Sequence, residues 1–409
     1  MSEKAQRRIL ILSFYYPPDL CAGSFRIEAF IKALLPMAEA QNFTIDVMTT
    51  QPNRYHDFHL AAPTCENHAR LTIHRITLPE HHSGFIDQAK AFSRYFFEAQ
   101  KLVKEKNYDL VYATSSRLFT AFLGARLSQK KKAKLFLDMR DIFTETMEDI
   151  LKFPFCLALP IFKWIERYTL KKANALNLVS PGFSSYFQGK INPNCSLYFI
   201  SNGIDACFED INFSSNQIEK AEKNNIKKRI VYAGNFGEGQ GLEKIIPELA
   251  QASLGRAEFY LIGSGGKLEI LKAACKTFSN VFFLAPVSRE ELIKHYKKAD
   301  ILFLHLNQHP AFRRVLPSKI FEYAITGKPI LAGLLGYSAE FMSQQVRGTY
   351  LFSSCDISQA LAQLERVLSD EKTSYDRSDF CKKFNRKDLM QELASHVVSL
   401  LNSPKSQID

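Results

Sequence analysis

No two cysteines in this chain are spaced C-x-x-C, and no tight cysteine–histidine cluster occurs. The eight cysteines, Cys21, Cys65, Cys156, Cys195, Cys207, Cys275, Cys355 and Cys381, are scattered. That excludes the ligand spacing of a structural zinc site and argues against a disulfide framework. Isolated thiols of this kind fit a reducing compartment, where they behave as small core hydrophobes. No apolar run reaches the roughly 18 residues that a membrane-spanning helix requires. The nearest approach, residues 153–162, is interrupted by Pro154 and Pro160. A G-x-G-x-x-G fingerprint is missing, which weakens a dinucleotide reading, and no Asp-x-Asp pair offers a divalent-cation site. The basic N-terminus leads into an apolar run that stops at Pro17-Pro18-Asp19 without a small-residue cleavage site. It is therefore expected to be a first strand and not a signal peptide.

What is present is a chain of 409 residues, 46% hydrophobic, which is long for one domain and predicts two. Lysine and arginine number 53 against 42 acids, a net charge of +11. Such a balance favours anionic partners: nucleotides, phosphorylated lipids, an acidic membrane surface or nucleic acid. No aromatic–basic stripe or known motif supports the last, so no nucleic-acid partner is expected.

Apolar, β-branched runs alternate with longer amphipathic stretches. Strands are predicted near residues 9–13, 44–49, 71–76, 110–113, 135–138, 176–179 and 197–200. A second series falls near 230–233, 258–262, 281–284, 301–304, 330–332 and 349–352. The spacing suits strand–helix–strand units and two doubly wound parallel sheets, an α/β class. Residues 211–228 are polar without apolar periodicity and read as a linker between two Rossmann-like halves. Leu389, Leu393, Val397 and Leu400 recur at helical spacing and predict a final helix over about 387–401.

The most informative stretch is Pro317-Ser318-Lys319-Ile320-Phe321-Glu322-Tyr323, followed by Gly327-Lys328-Pro329. It follows the apolar strand 301–304. Ser318 suits the N-cap of a short helix running to about 326, and Gly327 suits its C′ position. A hydroxyl, the Lys319 ammonium and unpaired backbone N–H groups would then share one helix start, a natural anion site. Glu322 falls one turn further on, within reach of sugar hydroxyls.

This sequence of features resembles the nucleotide-sugar clamp of the family 4 retaining glycosyltransferases. It looks most like a bacterial subgroup that builds surface polysaccharides and carries a Pro-Ser-Lys-x-x-Glu-Tyr signature. The resemblance covers nearly the whole chain. It implies a GT-B fold, two Rossmann-like doubly wound domains facing a cleft. Residues 1–210 would form the acceptor- and membrane-facing domain, 211–228 the linker and 229–385 the nucleotide-sugar domain. Residues 386–409 would cross back to brace the first domain. The implied reaction is sugar transfer from a nucleotide diphosphate donor, most often UDP-linked, to a lipid-linked saccharide with retention of configuration. No cofactor and no metal are expected, and the implied location is the cytoplasmic face of the plasma membrane.

Several other motifs take roles under this resemblance. The loop after the first strand, with Gly23, would face the transferred sugar, and Arg26 would open the first helix on the acceptor side of the cleft. Asp138, Arg140 and Asp141 follow another strand end, where carboxylates can orient an acceptor hydroxyl or take its proton. Asp141 would act catalytically there, together with Lys319 at the leaving diphosphate. Gly234, Asn235 and Phe236 open a loop with four glycines in eight residues, permitting close backbone approach to a diphosphate. Gly263 and Gly265 would lie beside the nucleotide, and Val287 beside the base. Arg314, Leu316, Ser318 and Glu322 complete the donor site. Two departures stand out. No basic residue lies between Gly234 and Gly241, and Arg314 occupies the position of the family's usual first Glu in Glu-x7-Glu.

A nucleotide-sugar 2-epimerase shares the implied architecture without needing a lipid acceptor, and a non-catalytic donor-binding scaffold is the reading that Arg314 favours. Residues 88–107 set Phe92, Tyr95, Phe96, Ala99, Leu102 and Val103 among Lys90, Arg94, Lys101, Lys104 and Lys106. That pattern predicts a basic amphipathic helix attracted to anionic lipid, with the 153–162 run and Trp164 as an apolar wedge. The alternative is that both helices simply pack on the core.

Overall fold

A computed structural model of the chain describes residues 6–53, 62–79, 85–115, 118–151, 154–208, 211 and 227–404. The chain divides into two compact units, Met1–Asn202 with Arg386–Asp409, and Gly203–Asn385. The expected linker at 211–228 lies almost entirely outside the described residues, as does residue 153.

The first unit is built on eight strands: β1 (Arg7–Leu12), β2 (Phe43–Thr50), β3 (Cys65–Asn67), β4 (Leu71–Ile76), β5 (Leu110–Thr114), β6 (Lys134–Met139), β7 (Ala175–Leu178) and β8 (Ser196–Tyr198). Their order is β3-β4-β2-β1-β5-β6-β7-β8. All neighbours are parallel except β3, which runs antiparallel to β4 at the edge. The unbroken apolar runs of β1, β5 and β6 follow from burial on both faces of the sheet. The short, polar β3 carries no such run, which is why the pattern does not predict it.

The helix Ala22–Ala40 covers one face of this sheet, and the final helix Arg386–Asn402 packs beside it. Met390, Leu393, Ala394 and Val397 are completely buried there. At the far end, the Lys134 ammonium donates to the Leu400 carbonyl at 2.7 Å and to Ser403 Oγ at 2.8 Å, a cation satisfying the last helical carbonyls. The His396 ring stacks on Tyr198 with centroids 3.9 Å apart.

The second unit holds β9 (Lys228–Asn235), β10 (Ala257–Ser264), β11 (Val281–Leu284), β12 (Ile301–His305), β13 (Ile330–Gly333) and β14 (Thr349–Phe352). They form an all-parallel sheet in the order β11-β10-β9-β12-β13-β14. This is the doubly wound order, and the winding reverses between β9 and β12. Those two strands pair only at Ile301 with Ile230 and Leu302 with Val231, although β9 continues to Asn235 and β12 to His305. They therefore part toward their carboxyl ends, where open α/β sheets bind ligands.

Candidate functional site

The parting of β9 and β12 is filled from the helix Lys319–Ala324. Its Tyr323 hydroxyl, on a fully buried ring, accepts the Ala233 N–H at 3.3 Å. That bond satisfies a strand donor for which β12 has already moved out of reach. Lys319, one turn earlier, sets its ammonium 5.6 Å from the centre of the Tyr232 ring. Gly234 follows at the strand end with φ of +152°, and a Cβ there would collide with the Lys319 ammonium. The glycine thus serves twice, in its backbone angle and in the notch that admits the lysine. The helix is shorter than the 318–326 expected. Ser318 sits at its N-cap position but makes no side-chain cap bond, because its backbone already has helical angles. Gly327 ends the segment at φ of +70°.

The glycine-rich loop after β9 is held by the end of β12. Asn307 donates from Nδ2 to the Glu238 carbonyl at 2.8 Å, and its N–H donates to the Gly239 carbonyl at 2.8 Å. His305, completely buried, has Nδ1 2.6 Å from the Gln240 carbonyl. The Lys244 ammonium reaches Asn307 Oδ1 at 3.0 Å. Glu238 is paired with Lys267 at 2.7 Å and lies 3.4 Å from His309. The bond from Lys267 holds its carboxyl below the ordinary value, against a smaller opposing effect of burial. The loop therefore has cations around it, Lys244, Lys267 and Lys319, although it contains none. Lys319 is the cation expected at this place, and Lys244 and Lys267 join it from other elements.

Glu322 faces Arg289 at 3.4 Å and receives the Tyr296 hydroxyl at 3.3 Å. Arg289 also pairs with Asp205 and lies over the Phe208 ring. Burial works against the guanidinium charge, but Glu322 and Asp205 outweigh it and raise Arg289 above its ordinary value. Arg289, Tyr296, Asp205, His305 and Asn307 were not among the residues the motifs pointed to. Only His305 and Asn307 carried a usable signal, polar residues at the carboxyl end of a buried strand.

Other expected donor residues fall differently. Gly263 and Gly265 pack edge to edge with the backbone of Gly234 and Phe236, where a Cβ would not fit. Val287 is half-buried against the core, and Arg314 is half-buried. Asn235 donates to the Gln240 side chain at 3.0 Å. The expectation for the side chains of Phe236 and Leu316 needs correction. Both are core residues, 1% and 3% exposed, so neither ring nor isobutyl group is presented to a ligand. Apolar side chains are more stable in the core than against a charged phosphate.

In the first unit, Gly23 and Arg140 come together, since a Cβ at Gly23 would collide with the Arg140 guanidinium. Asp141 is exposed, two residues past β6, and the N-cap of the following helix falls on Ile142. Arg26 and Asp138 are a second correction. They are 2% and 1% exposed and bind each other through two bonds of 2.8 and 3.0 Å. Arg26 also donates to the carbonyls of Ser201 at 2.6 Å and Ile200 at 3.0 Å, and Asn177 donates to Asp138 at 2.6 Å. Burial opposes the Asp138 charge, yet Arg26 and Asn177 together hold its carboxyl below the ordinary range. With both carboxylate oxygens bonded and the pair 2% and 1% exposed, it ties the first helix to the sheet and is not presented to an acceptor hydroxyl.

The helix Phe85–Leu102 corrects the predicted lipid-facing stripe. Phe92, Tyr95, Ala99 and Val103 are buried on the sheet. The outward side instead carries Phe97, 67% exposed, with Lys90, Arg94 and Lys101. From Phe97 a line of rings crosses three helices: Phe96 at 5.7 Å, Phe122 a further 6.1 Å, Trp164 a further 6.3 Å and Tyr168 a further 5.8 Å. Leu157, Ile161 and Trp164 beside it are 69%, 60% and 60% exposed. No helix of the described residues is long and apolar enough to cross a membrane, and none of their His, Cys, Asp and Glu side chains group to hold a metal ion.

Residues 227–370 match the family model described as glycosyl transferases group 1. No curated protein matches the chain by sequence. Among solved structures, it is similar to sucrose-phosphate synthase from Thermosynechococcus elongatus, with a TM-score of 0.75 and 13% identity over 97% of this chain and 99% of that one. The Anabaena protein Alr3699/HepE in complex with UDP-glucose gives a TM-score of 0.59 and 15% identity, over 96% and 97% of the two chains. WaaG, a glycosyltransferase involved in lipopolysaccharide biosynthesis, gives 0.61 and 16%, also over 96% and 97%. At these identities the likeness is one of fold: two Rossmann-like parallel-sheet units of the GT-B kind.

Proposed function

We propose that the chain is a glycosyltransferase that moves a sugar, with retention, from a uridine diphosphate donor to a lipid-linked saccharide in the assembly of a cell-surface polysaccharide. The observation that carries this reading is the Lys319 ammonium set in the Gly234 notch, where β9 and β12 part, with Glu322 one turn along the same helix. That stretch lies inside the matched glycosyl transferases group 1 region. The donor is assigned from the Anabaena protein, whose structures hold UDP and UDP-glucose. The acceptor and pathway are assigned from WaaG and from WaaB, a lipopolysaccharide outer core galactosyltransferase.

In this reading the bond from the anomeric carbon to the diphosphate oxygen breaks, and the acceptor oxygen bonds to that carbon on the same face. The acceptor proton passes to the departing phosphate. Negative charge grows on the diphosphate as it leaves, so a fixed cation beside it lowers the barrier more than it strengthens binding of the donor. Lys319 has that role, Lys244 adds positive charge beside the loop, and Lys267 balances the loop's own Glu238. Glu322 takes the ribose hydroxyls, exchanging its long contacts with Arg289 and Tyr296 for shorter ones. Asp141 orients the acceptor hydroxyl. The exposed aromatic line, edged by Lys90, Arg94 and Lys101, rests on an anionic bilayer and brings the enzyme to a lipid-borne acceptor. The test is calorimetry with UDP followed by transfer assays with UDP-sugars. Micromolar UDP binding and sugar release are expected, and absence of both would overturn the reading.

A further inference from the structure

We propose that His305 is a positioning residue for the diphosphate-binding loop: a neutral imidazole, protonated on Nδ1, that ties the loop after β9 to the ends of β12 and β14. The inference rests on the donor-site reading above. Its geometry leaves little freedom. The Gln240 carbonyl can only accept, so Nδ1, at 2.6 Å, carries the proton. The Cys355 backbone N–H can only donate, so Nε2, at 3.0 Å, is bare. Cys355 has a φ of +62°, an unusual angle for a residue with a Cβ, and it directs that N–H at the ring. The ring itself cannot slide: a Cβ on Gly333 would collide with it, and Phe352 stacks on it at 5.9 Å.

The surroundings oppose a charged ring. Burial, helped by the nearby Lys244 ammonium and opposed in part by the Gln240 bond, pushes the His305 pKa down to about 4. Lys244 is the charged group that acts on the ring, and the Glu238 charge is taken up by Lys267. A protonated ring would turn an N–H toward the Cys355 N–H and break the tie. With Asn307, His305 thus engages three successive loop carbonyls, of Glu238, Gly239 and Gln240. In a trans peptide the N–H of the next residue points the opposite way, so the Gly239 N–H turns away from Asn307. Fixing the carbonyls fixes that direction before any ligand arrives.

Two substitutions separate positioning from packing. Asparagine places its amide nitrogen near that of Nδ1 and keeps the bond to Gln240. Glutamine reaches the Nε2 position, keeps an acceptor for Cys355 and loses the bond to the loop. At neutral pH, UDP affinity by calorimetry should stay within about threefold of wild type in His305→Asn and fall about tenfold in His305→Gln, the scale of one positioned hydrogen bond. Unfolding midpoints measured in parallel should drop in both. Equal affinities in the two variants would overturn the proposal, because a packing role treats them alike. Nitrogen NMR of the wild type needs no variant: a neutral Nδ1–H ring at pH 7 is expected, and an imidazolium or an Nε2–H ring would refute it. Wild-type protein that binds no UDP would overturn the donor-site reading and this inference with it, whereas binding unaffected by His305→Gln would overturn this inference alone.

Discussion

Replacing Asp138 by Asn should unfold the first unit more easily without touching chemistry directly. The change removes one charge from a pair that is 2% and 1% exposed, and leaves the Arg26 guanidinium buried without a counter-charge, facing only neutral oxygens, among them the Ser201 and Ile200 carbonyls. Breaking a buried ion pair from one side costs about 3–5 kcal/mol, because the surviving charge is uncompensated. Arg26→Met should cost a similar amount, stranding a buried carboxylate that keeps the Asn177 amide but loses its counter-charge. The double variant Arg26→Met/Asp138→Leu removes both charges and strands only neutral groups, at about 1–3 kcal/mol, so it should be more stable than either single variant. Urea unfolding followed by tryptophan fluorescence reads this selectively, since Trp164 is the only tryptophan and lies in the first unit. The pH dependence follows from the lowered carboxyl of Asp138. Its contribution is complete above the ordinary carboxylate pKa and is lost only as pH falls through the depressed folded value. The pair should therefore outlast mild acid. If Asp138→Asn unfolded within about 1 kcal/mol of wild type, well under that cost, yet abolished sugar transfer, the structural assignment would be wrong and both residues would return to the acceptor site.

Lys319→Ala should lower turnover more than donor affinity, since the charge it faces grows in the transition state; survival of turnover within a factor of about three, under 1 kcal/mol of barrier, would make the lysine a bystander. Glu322→Gln should weaken UDP binding by about 1.5–3 kcal/mol, the value of a charged hydrogen bond, and unchanged calorimetry would remove it from the ribose. Vesicles rich in phosphatidylglycerol should bind the protein in a partly salt-sensitive way. Arg94 shares its charge with Glu98 at 3.5 Å, so the rings should contribute the salt-resistant part, which Phe97→Ser with Trp164→Ser should abolish. Sedimentation unchanged by that double substitution would leave the aromatic line without this role. Asp141→Asn should keep UDP binding and lose transfer, and full transfer activity would exclude it from the mechanism.

The strand series was legible because parallel strands buried on both faces are written as unbroken apolar runs, as in β1, β5, β9 and β12. The short helix with Lys319 and Glu322 was legible too, since glycine, proline and lysine at fixed offsets demand a particular local chain path. What each side chain does was decided by contacts between distant segments. Arg26 and Asp138 are 112 positions apart, and only the folded sheet turns two apparent site residues into one internal ion pair. The helix Phe85–Leu102 has a basic, aromatic composition that fits either core or membrane, and the sheet chose by burying Tyr95 and leaving Phe97 outside. The missing cation of the glycine-rich loop is the same lesson. Lys244, Lys267 and Lys319 reach that neighbourhood from three separate elements, since charge acts through space and not along the chain. His305 looks in sequence like the end of an apolar strand. It becomes a neutral clamp only because Gln240 and Cys355, 65 and 50 positions away, bring one acceptor and one donor to its two ring nitrogens.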